Sequence, residues 1–478
     1  MVKWFPWKWL VRRTVRSHGL IDPFTLLARL RKFAEPSEVD APLELIRAWT
    51  VFQARGIVNT RAIQHNLDWV WPYWVERQFN PRDPAFVPRS FSLAHINLTH
   101  RNWAAVCVPD AGRYALVDPR GLVTPLHDGW SIDAWLVRGD GALAPSRCRD
   151  AEQTMLHDGV LAVETRVAED GMRLVSRAEM HRAAEGGLRL EIAYRAESDP
   201  PAALCIALRP YNPEGVQFID TVKPAREGAG WLVNRRTRVL LDREPARYAA
   251  SVYKSGDVFN RLERTGTGRS VECPVGMATA VAVFPAHAGE TNRVTVSVPI
   301  EDRANVFAAP EARRPRTSWA ALDELTPVLD VPDPHMKYLF RTSVRTLLSL
   351  SAADVYPGSY TYRRFWFRDA CLMLHALLTL NHRDCCRRAF ETSFPHRQTV
   401  AGFFQSQQGE WDSNGQVLWL AGRYRELTGE PLPPRVLKSL RKGAEWLCRK
   451  RLPRRGPHPG LLPPGFSAEH LGPNNHYY

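Results

Sequence analysis

Apolar side chains change their spacing along this chain, and that change limits the folds open to it. From about residue 91 to 310 they fall in short β-prone runs: Trp130–Val137, Met172–Met180, Leu188–Ala196, Ala203–Leu208, Ala278–Phe284 and Arg293–Ile300. Gly, Pro and Asp stand between the runs. A period of two buries one face of each run, and regular short strands joined by turns pack as an antiparallel β-sandwich. On either side the period is helical. Leu43, Leu45, Ile46, Trp49 and Phe52 make one stripe between Pro42 and Gly56. Asn59 or Thr60 is placed to cap a following helix with Ile63, Leu67, Val70 and Trp74. Aromatic rings at this spacing are read as core.

After a Pro-, Ala- and Arg-rich stretch, Asp333-Pro334 supplies a cap followed by proline at the first helical position. Five helices are expected from there. The first runs from Asp333 to about Ala352, with Met336, Leu339, Phe340, Val344, Leu347 and Leu348 turned inward. The others cover about Arg368–Leu380, Asp384–Ser393, Ser413–Thr428 (stopped by Gly429) and Arg435–Lys450. The second and fourth connections are short, as between antiparallel neighbours. The first, third and fifth are long and, in an up-and-down array, share one end. Long loops in compact domains tend to be functional, so one end is expected to carry a site. The organisation is then a helical, Trp-rich region over 1–90, a β-sandwich over 91–310, a linker or strap over 311–332, and a helical domain over 333–478.

Charge and cysteine usage exclude several classes. The net charge of +14 is concentrated: residues 1–33 contribute +7 and residues 431–456 contribute +8. The rest is nearly neutral, so there is no general polyanion-binding surface, and nucleic acid is not an expected partner. The basic, aromatic start makes residues 1–33 the candidate for a weak membrane-surface contact. No unbroken apolar run has the length of a membrane span or a signal-peptide core, and a cytoplasmic location is expected. The eight cysteines form no CxxC pair, and no metal site is expected from them. Thr265-Gly266-Thr267-Gly268 is read as a turn, because it does not join a strand to a helix in a βαβ unit.

The three long loops share one composition. The first ends Phe365-Trp366-Phe367-Arg368-Asp369; the third ends Glu410-Trp411-Asp412-Ser413-Asn414-Gly415-Gln416; the fifth contains Gly460-Leu461-Leu462-Pro463 and then Glu469-His470. Aromatic rings, carboxylates, amides and Arg together suit a sugar, whose C–H faces lie on rings while its hydroxyls need paired donors and acceptors. Adjacent Arg368 and Asp369 can clamp two neighbouring hydroxyls. Each residue also has a plain alternative. Asp369 and Asp412 can serve a helix N-terminus, Arg368 can pair with a nearby carboxylate, Glu469 can be a solvated charge, and His470 can simply pack.

These motifs resemble the glucoamylase-like six-hairpin glycosidases, and among them bacterial glycogen-debranching or amylo-α-1,6-glucosidase-like proteins. The resemblance covers about residues 330–478 specifically and 91–310 more loosely. It implies a multidomain β + α fold in which the sandwich precedes an (α/α)6 toroid of six helical hairpins, of which this chain supplies about five helices. It implies inverting hydrolysis of glycosidic bonds in an α-glucan or oligosaccharide, with no cofactor. Trp366 and Trp411 become stacking platforms, Arg368 and Asp369 the hydroxyl clamp, and Asp412 a further ligand, with Glu469 and His470 on the same rim. The family's general acid and base fall outside the sequence, so the chain is expected to be the N-terminal part of a longer enzyme; Glu469 is the one stand-in candidate. A glycoside phosphorylase on the same toroid and a sugar-binding or scaffold protein without catalysis are the rival expectations.

Overall fold

A computed structural model describes residues 43–79, 81–82, 86, 103–139, 141–183, 187–262, 268–301, 317–360 and 363–465. Residues 1–33, the bulk of the Thr265–Gly268 turn, Glu469 and His470 lie outside the described residues. The chain divides into two compact units. One comprises Val51–Phe365 with Leu372–Ser393, and the other Met1–Thr50, Trp366–Cys371 and Phe394–Tyr478.

The first unit is built on two antiparallel sheets. In the first, β1 (Ala104–Val106), β2 (Ala115–Val117), β3 (Val123–Thr124), β4 (Ser131–Arg138), β10 (Ala202–Arg209), β18 (Thr279–Ala286) and β16 (Arg247–Ser251) lie side by side, with β5 (Gly141–Leu143) on β4. The second orders β17 (Val271–Glu272), β13 (Thr221–Pro224), β14 (Ala229–Val233), β15 (Thr237–Leu241), β19 (Asn292–Ile300), β9 (Leu188–Ser198), β8 (Met172–Arg182), β7 (Ala162–Glu169) and β6 (Glu152–Leu156). A hairpin of β11 (Tyr211–Asn212) and β12 (Gly215–Val216) stands apart. Alternation decides the faces. Met172, Leu174, Ala178 and Met180 of β8 and Leu188, Leu190, Ile192 and Tyr194 of β9 share one core with Ile132, Leu136, Leu204 and Ile206 of the first sheet. All six runs expected as strands are strands.

The region before the sandwich departs from expectation at Asn59 and at Leu67. A single helix, α1 (Leu43–Gln64), runs through Gly56 and Asn59 without a break. Asn59 does not cap a second helix, because its amide is engaged elsewhere: Nδ2 donates to the Glu214 carbonyl at 3.0 Å and Oδ1 accepts from Val216 N at 2.8 Å. Gly215, at φ +125°, permits this approach; a Cβ there would stand 2.1 Å from Asn59. Leu67 is exposed rather than inward, whereas Ile63, Val70 and Trp74 are buried as expected. The chain then enters α2 (Tyr73–Glu76), and Trp69, Trp71 and Trp74 are fully buried.

Asp118-Pro119-Arg120-Gly121 turns between β2 and β3, and Asp118 is buried. Its Oδ1 accepts from Arg120 N at 2.8 Å and Leu122 N at 3.0 Å, while Oδ2 accepts no hydrogen bond among the described residues. Burial pushes this carboxyl from 3.8 up to about 7 against those two bonds. The folded state therefore holds a proton that the unfolded chain releases, and this group's contribution to stability falls as pH rises from about 4 to about 7. His127 and His157, both lowered to about 4 by burial, act in the opposite sense. The difference between variant and wild type isolates the aspartate. Asp118→Asn should gain stability relative to wild type across that window, measured by urea unfolding at stepped pH; a pH-independent difference would refute the assignment.

The stretch 311–332, expected as a linker or strap, contains α3 (Trp319–Leu325), whose Trp319 is buried with Nε1 donating to the Cys107 carbonyl at 3.1 Å. Asp333 caps α4 (Pro334–Leu350) by accepting from His335 N at 2.8 Å. Val344 and Leu348 are inward, but Met336 and Leu339 are exposed at 51% and 43%: the packed face of α4 is its C-terminal half. The remaining helices are α5 (Phe367–Thr379), α6 (Arg383–Glu391), α7 (Ser393–His396), α8 (Ser413–Thr428) and α9 (Pro434–Lys450). Gly429 ends α8 in the left-handed conformation, φ +69°. No helix among the described residues is long and apolar enough to cross a membrane. None of the eight cysteines, all of them described residues, is in a disulfide.

Candidate functional site

In the second unit, the ends of the three long loops meet. Phe367 opens α5 buried against Phe394 and Phe404, ring centroids 5.2 and 5.5 Å away. That anchor fixes the next residue. Arg368 Nε donates to Asp412 Oδ2 at 2.8 Å, with side chains 25% and 18% exposed. Asp412 stands at the N-cap position of α8, but its backbone is already helical (φ −68°, ψ −18°) and its side chain makes no cap bond. The capping alternative for Asp412 is thereby removed; its carboxylate serves Arg368 instead. Asp369 lies half-buried in the first turn of α5, where the helix dipole favours an anion. Trp366, also half-buried, immediately precedes that helix.

Trp411 joins loop three to loop five. Its Nε1 donates to the Pro464 carbonyl at 3.2 Å. The residue is only 7% exposed; it packs with Phe403, Trp446 and Leu462, while the Lys450 ammonium lies 4.5 Å from its ring centroid. Trp411 is therefore part of a small aromatic core rather than an open platform. The Gly460-Leu461-Leu462-Pro463 motif packs against that core through Leu462, and the Leu461 carbonyl accepts from Leu452 N at 2.7 Å.

Two residues of the loop-three motif with no role expected from sequence help hold these ends in place. Asn414 is fully buried: Oδ1 accepts from Phe404 N at 2.8 Å, and Nδ2 donates to the carbonyls of Gly402 and Gly443 at 3.0 and 2.9 Å. Gly443 is needed for that approach, since a Cβ there would come within 2.9 Å of the Phe404 ring. Glu410 is a buried carboxylate that accepts from Ser406 Oγ at 3.2 Å and Gln407 Nε2 at 3.4 Å. One acid in a polar loop carries no periodic signal, so Glu410 stands in that motif without an assigned role.

Loop one is tied down separately, within the first unit. Tyr114 Oη donates to the Ser359 carbonyl at 2.6 Å and accepts from Arg363 Nε at 2.7 Å. Arg363 also donates to His127 Nε2 at 3.0 Å. Burial first, and the Arg363 charge second, lower His127 to about 4, so a neutral ring accepts that bond at pH 7. Burial likewise pushes Tyr114 up to about 12, opposed by Arg363.

No family model matches the chain, and no curated protein matches it. Solved structures do match at low similarity. A protein described as a kojibiose phosphorylase from the human microbiome is 8% identical, with a TM-score of 0.38 over 74% of this chain and 54% of that one. A family GH92 alpha-mannosidase from Bacteroides thetaiotaomicron is 12% identical, with a TM-score of 0.36 over 76% of this chain and 57% of that one. The 4-alpha-glucanotransferase from Thermococcus litoralis is 10% identical, with a TM-score of 0.24 over 52% of this chain and 49% of that one. The chain thus spans about half the length of these proteins.

Proposed function

We propose that this chain is the sugar-binding part of a glycoside hydrolase of the glucoamylase-like kind, receiving the non-reducing end of an α-glucan or related oligosaccharide. The observation that carries the reading is the Arg368–Asp412 bond, made between the start of α5 and the start of α8. It presents a guanidinium, its neighbour Asp369 and a second carboxylate from two loop ends. In this reading Arg368 and Asp369 clamp neighbouring hydroxyls, while Asp412 steadies the guanidinium plane and takes a further hydroxyl. Trp366 supplies the platform, while Trp411 belongs to the aromatic core with Phe403 and Trp446. Glu469 and His470 are proposed for the same rim. Inverting hydrolysis needs two carboxyls about 6.5–9.5 Å apart, and no described residue is assigned to either role. Binding is the activity expected of this chain by itself. Debranching-type hydrolysis is proposed for the whole protein.

The test is calorimetric titration with maltooligosaccharides and α-1,6-linked glucosides. Hydrogen bonds to a charged group contribute about 1.5–3 kcal/mol each, so Asp369→Ala should weaken binding by about 100-fold. Unchanged affinity in that variant, or no binding to the wild-type chain, would overturn the assignment. Product formation that requires added phosphate would replace hydrolysis by phosphorolysis.

A further inference from the structure

The outer face of the second sheet carries a group of side chains that the proposed sugar site does not use. β8 and β9 pair so that Glu179 stands directly opposite Glu191. Like charges at directly opposed positions destabilise a sheet. His181, two residues along on the same face, reaches both: its Nε2 lies 3.3 Å from Glu179 Oε1 and 3.7 Å from Glu191 Oε2. One ligand atom from each of the three residues falls within 4.8 Å of the others. The remaining carboxylate oxygens face away. Arg177 donates to Glu179 Oε2 at 2.9 Å, and Arg189 lies 3.7 Å from Glu191 Oε1. Each glutamate is thus held from behind by a guanidinium while its other oxygen points toward the imidazole nitrogen.

We propose that Glu179, His181 and Glu191 bind a divalent transition ion of the zinc class, with water completing the shell. Zinc takes imidazole and carboxylate at about 2.0–2.2 Å, which in a tetrahedron spaces ligand atoms about 3.3–3.6 Å apart. The distances of 3.3 and 3.7 Å lie close to those edges. One nitrogen and two oxygens suit zinc better than the all-oxygen shell of calcium or magnesium. The two arginines act as the outer shell that orients the ligands. The ion turns an opposed pair of anions into a cross-link between β8 and β9, and it binds only where the strands are in register. It therefore stabilises the folded sandwich by mass action.

The rival is a solvated lattice of ion pairs, such as Arg195–Glu197 on the same face. Calorimetric titration of the chelator-treated chain with zinc chloride separates the two. The other histidines and the cysteines offer weak competing sites, so the readout is the difference between chains. His181→Gln and Glu191→Gln should each weaken one class of site by about tenfold or more, and should lose the zinc-dependent rise in melting temperature of the wild type. Arg195→Gln should keep both. Identical isotherms for wild type and His181→Gln, or a wild type that takes up no zinc, would overturn the proposal. Circular dichroism checks that each variant is folded, and Glu191→Gln gives an independent reading that leaves the histidine in place.

Discussion

Asp257→Ala is expected to destabilise the sandwich by about 3–5 kcal/mol, the usual loss when one partner of a buried ion pair is removed. Arg209 and Asp257 are both fully buried and bonded twice, Nη1 to Oδ1 and Nη2 to Oδ2, each at 2.6 Å. The guanidinium has further partners: Nη2 donates to the Val70 carbonyl at 2.8 Å, and Nε donates to Tyr211 Oη at 2.9 Å. The carboxylate in turn accepts from Val70 N at 2.9 Å and Phe259 N at 3.2 Å. The pair therefore ties the Trp-rich segment after α1 to β10 and to the turn at Asp257. Alanine strands a buried cation and orphans the Val70 amide at once. Asp257→Asn keeps the shape and part of the bonding, so it should cost less. The urea midpoint and exchange of the Val70 amide measure both. A loss below about 1 kcal/mol for Asp257→Ala would mean that water enters and solvates Arg209.

Nothing in the sequence marks that pair, because its members stand 48 residues apart and no local pattern links them. What local patterns do encode was legible. The period of two located the main strands, Asp333 announced the start of α4, and Gly429 announced the end of α8. Asn59 shows where such reasoning stops. Its propensity to cap a helix competes with two tertiary hydrogen bonds to the β11–β12 hairpin, and the tertiary bonds win. Met336 and Leu339 show a second limit: a periodic stripe tells which side of a helix is apolar, not how far along the helix the cover extends. At the candidate site, the mixture of Arg, Asp and Trp was readable, and the plain alternative for Arg368, pairing with a nearby carboxylate, is the contact observed. That the carboxylate is Asp412, and that Trp411 is buried by Phe403, Trp446 and Leu462, required the fold.

Arg368→Lys separates a hydroxyl clamp from an ordinary ion pair. The Arg368–Asp412 contact is partly solvated, so its worth to stability is modest, about 1 kcal/mol or less. Lysine keeps the charge beside Asp412, and the variant should melt within a few degrees of wild type. It cannot reproduce the planar fork that addresses two hydroxyls while holding a carboxylate. Oligosaccharide affinity should therefore fall by about 30- to 100-fold although the protein is as stable as before. Asp412→Asn leaves the shape intact but frees the guanidinium to rotate, and should lose affinity by about tenfold. In Arg368→Lys combined with Asp412→Asn, the loss should be smaller than the two single losses together, since both act through one guanidinium orientation. If Arg368→Lys lowered stability and affinity in proportion, or left affinity unchanged, Arg368 would be a structural tie between α5 and α8 and the sugar would have to be held elsewhere.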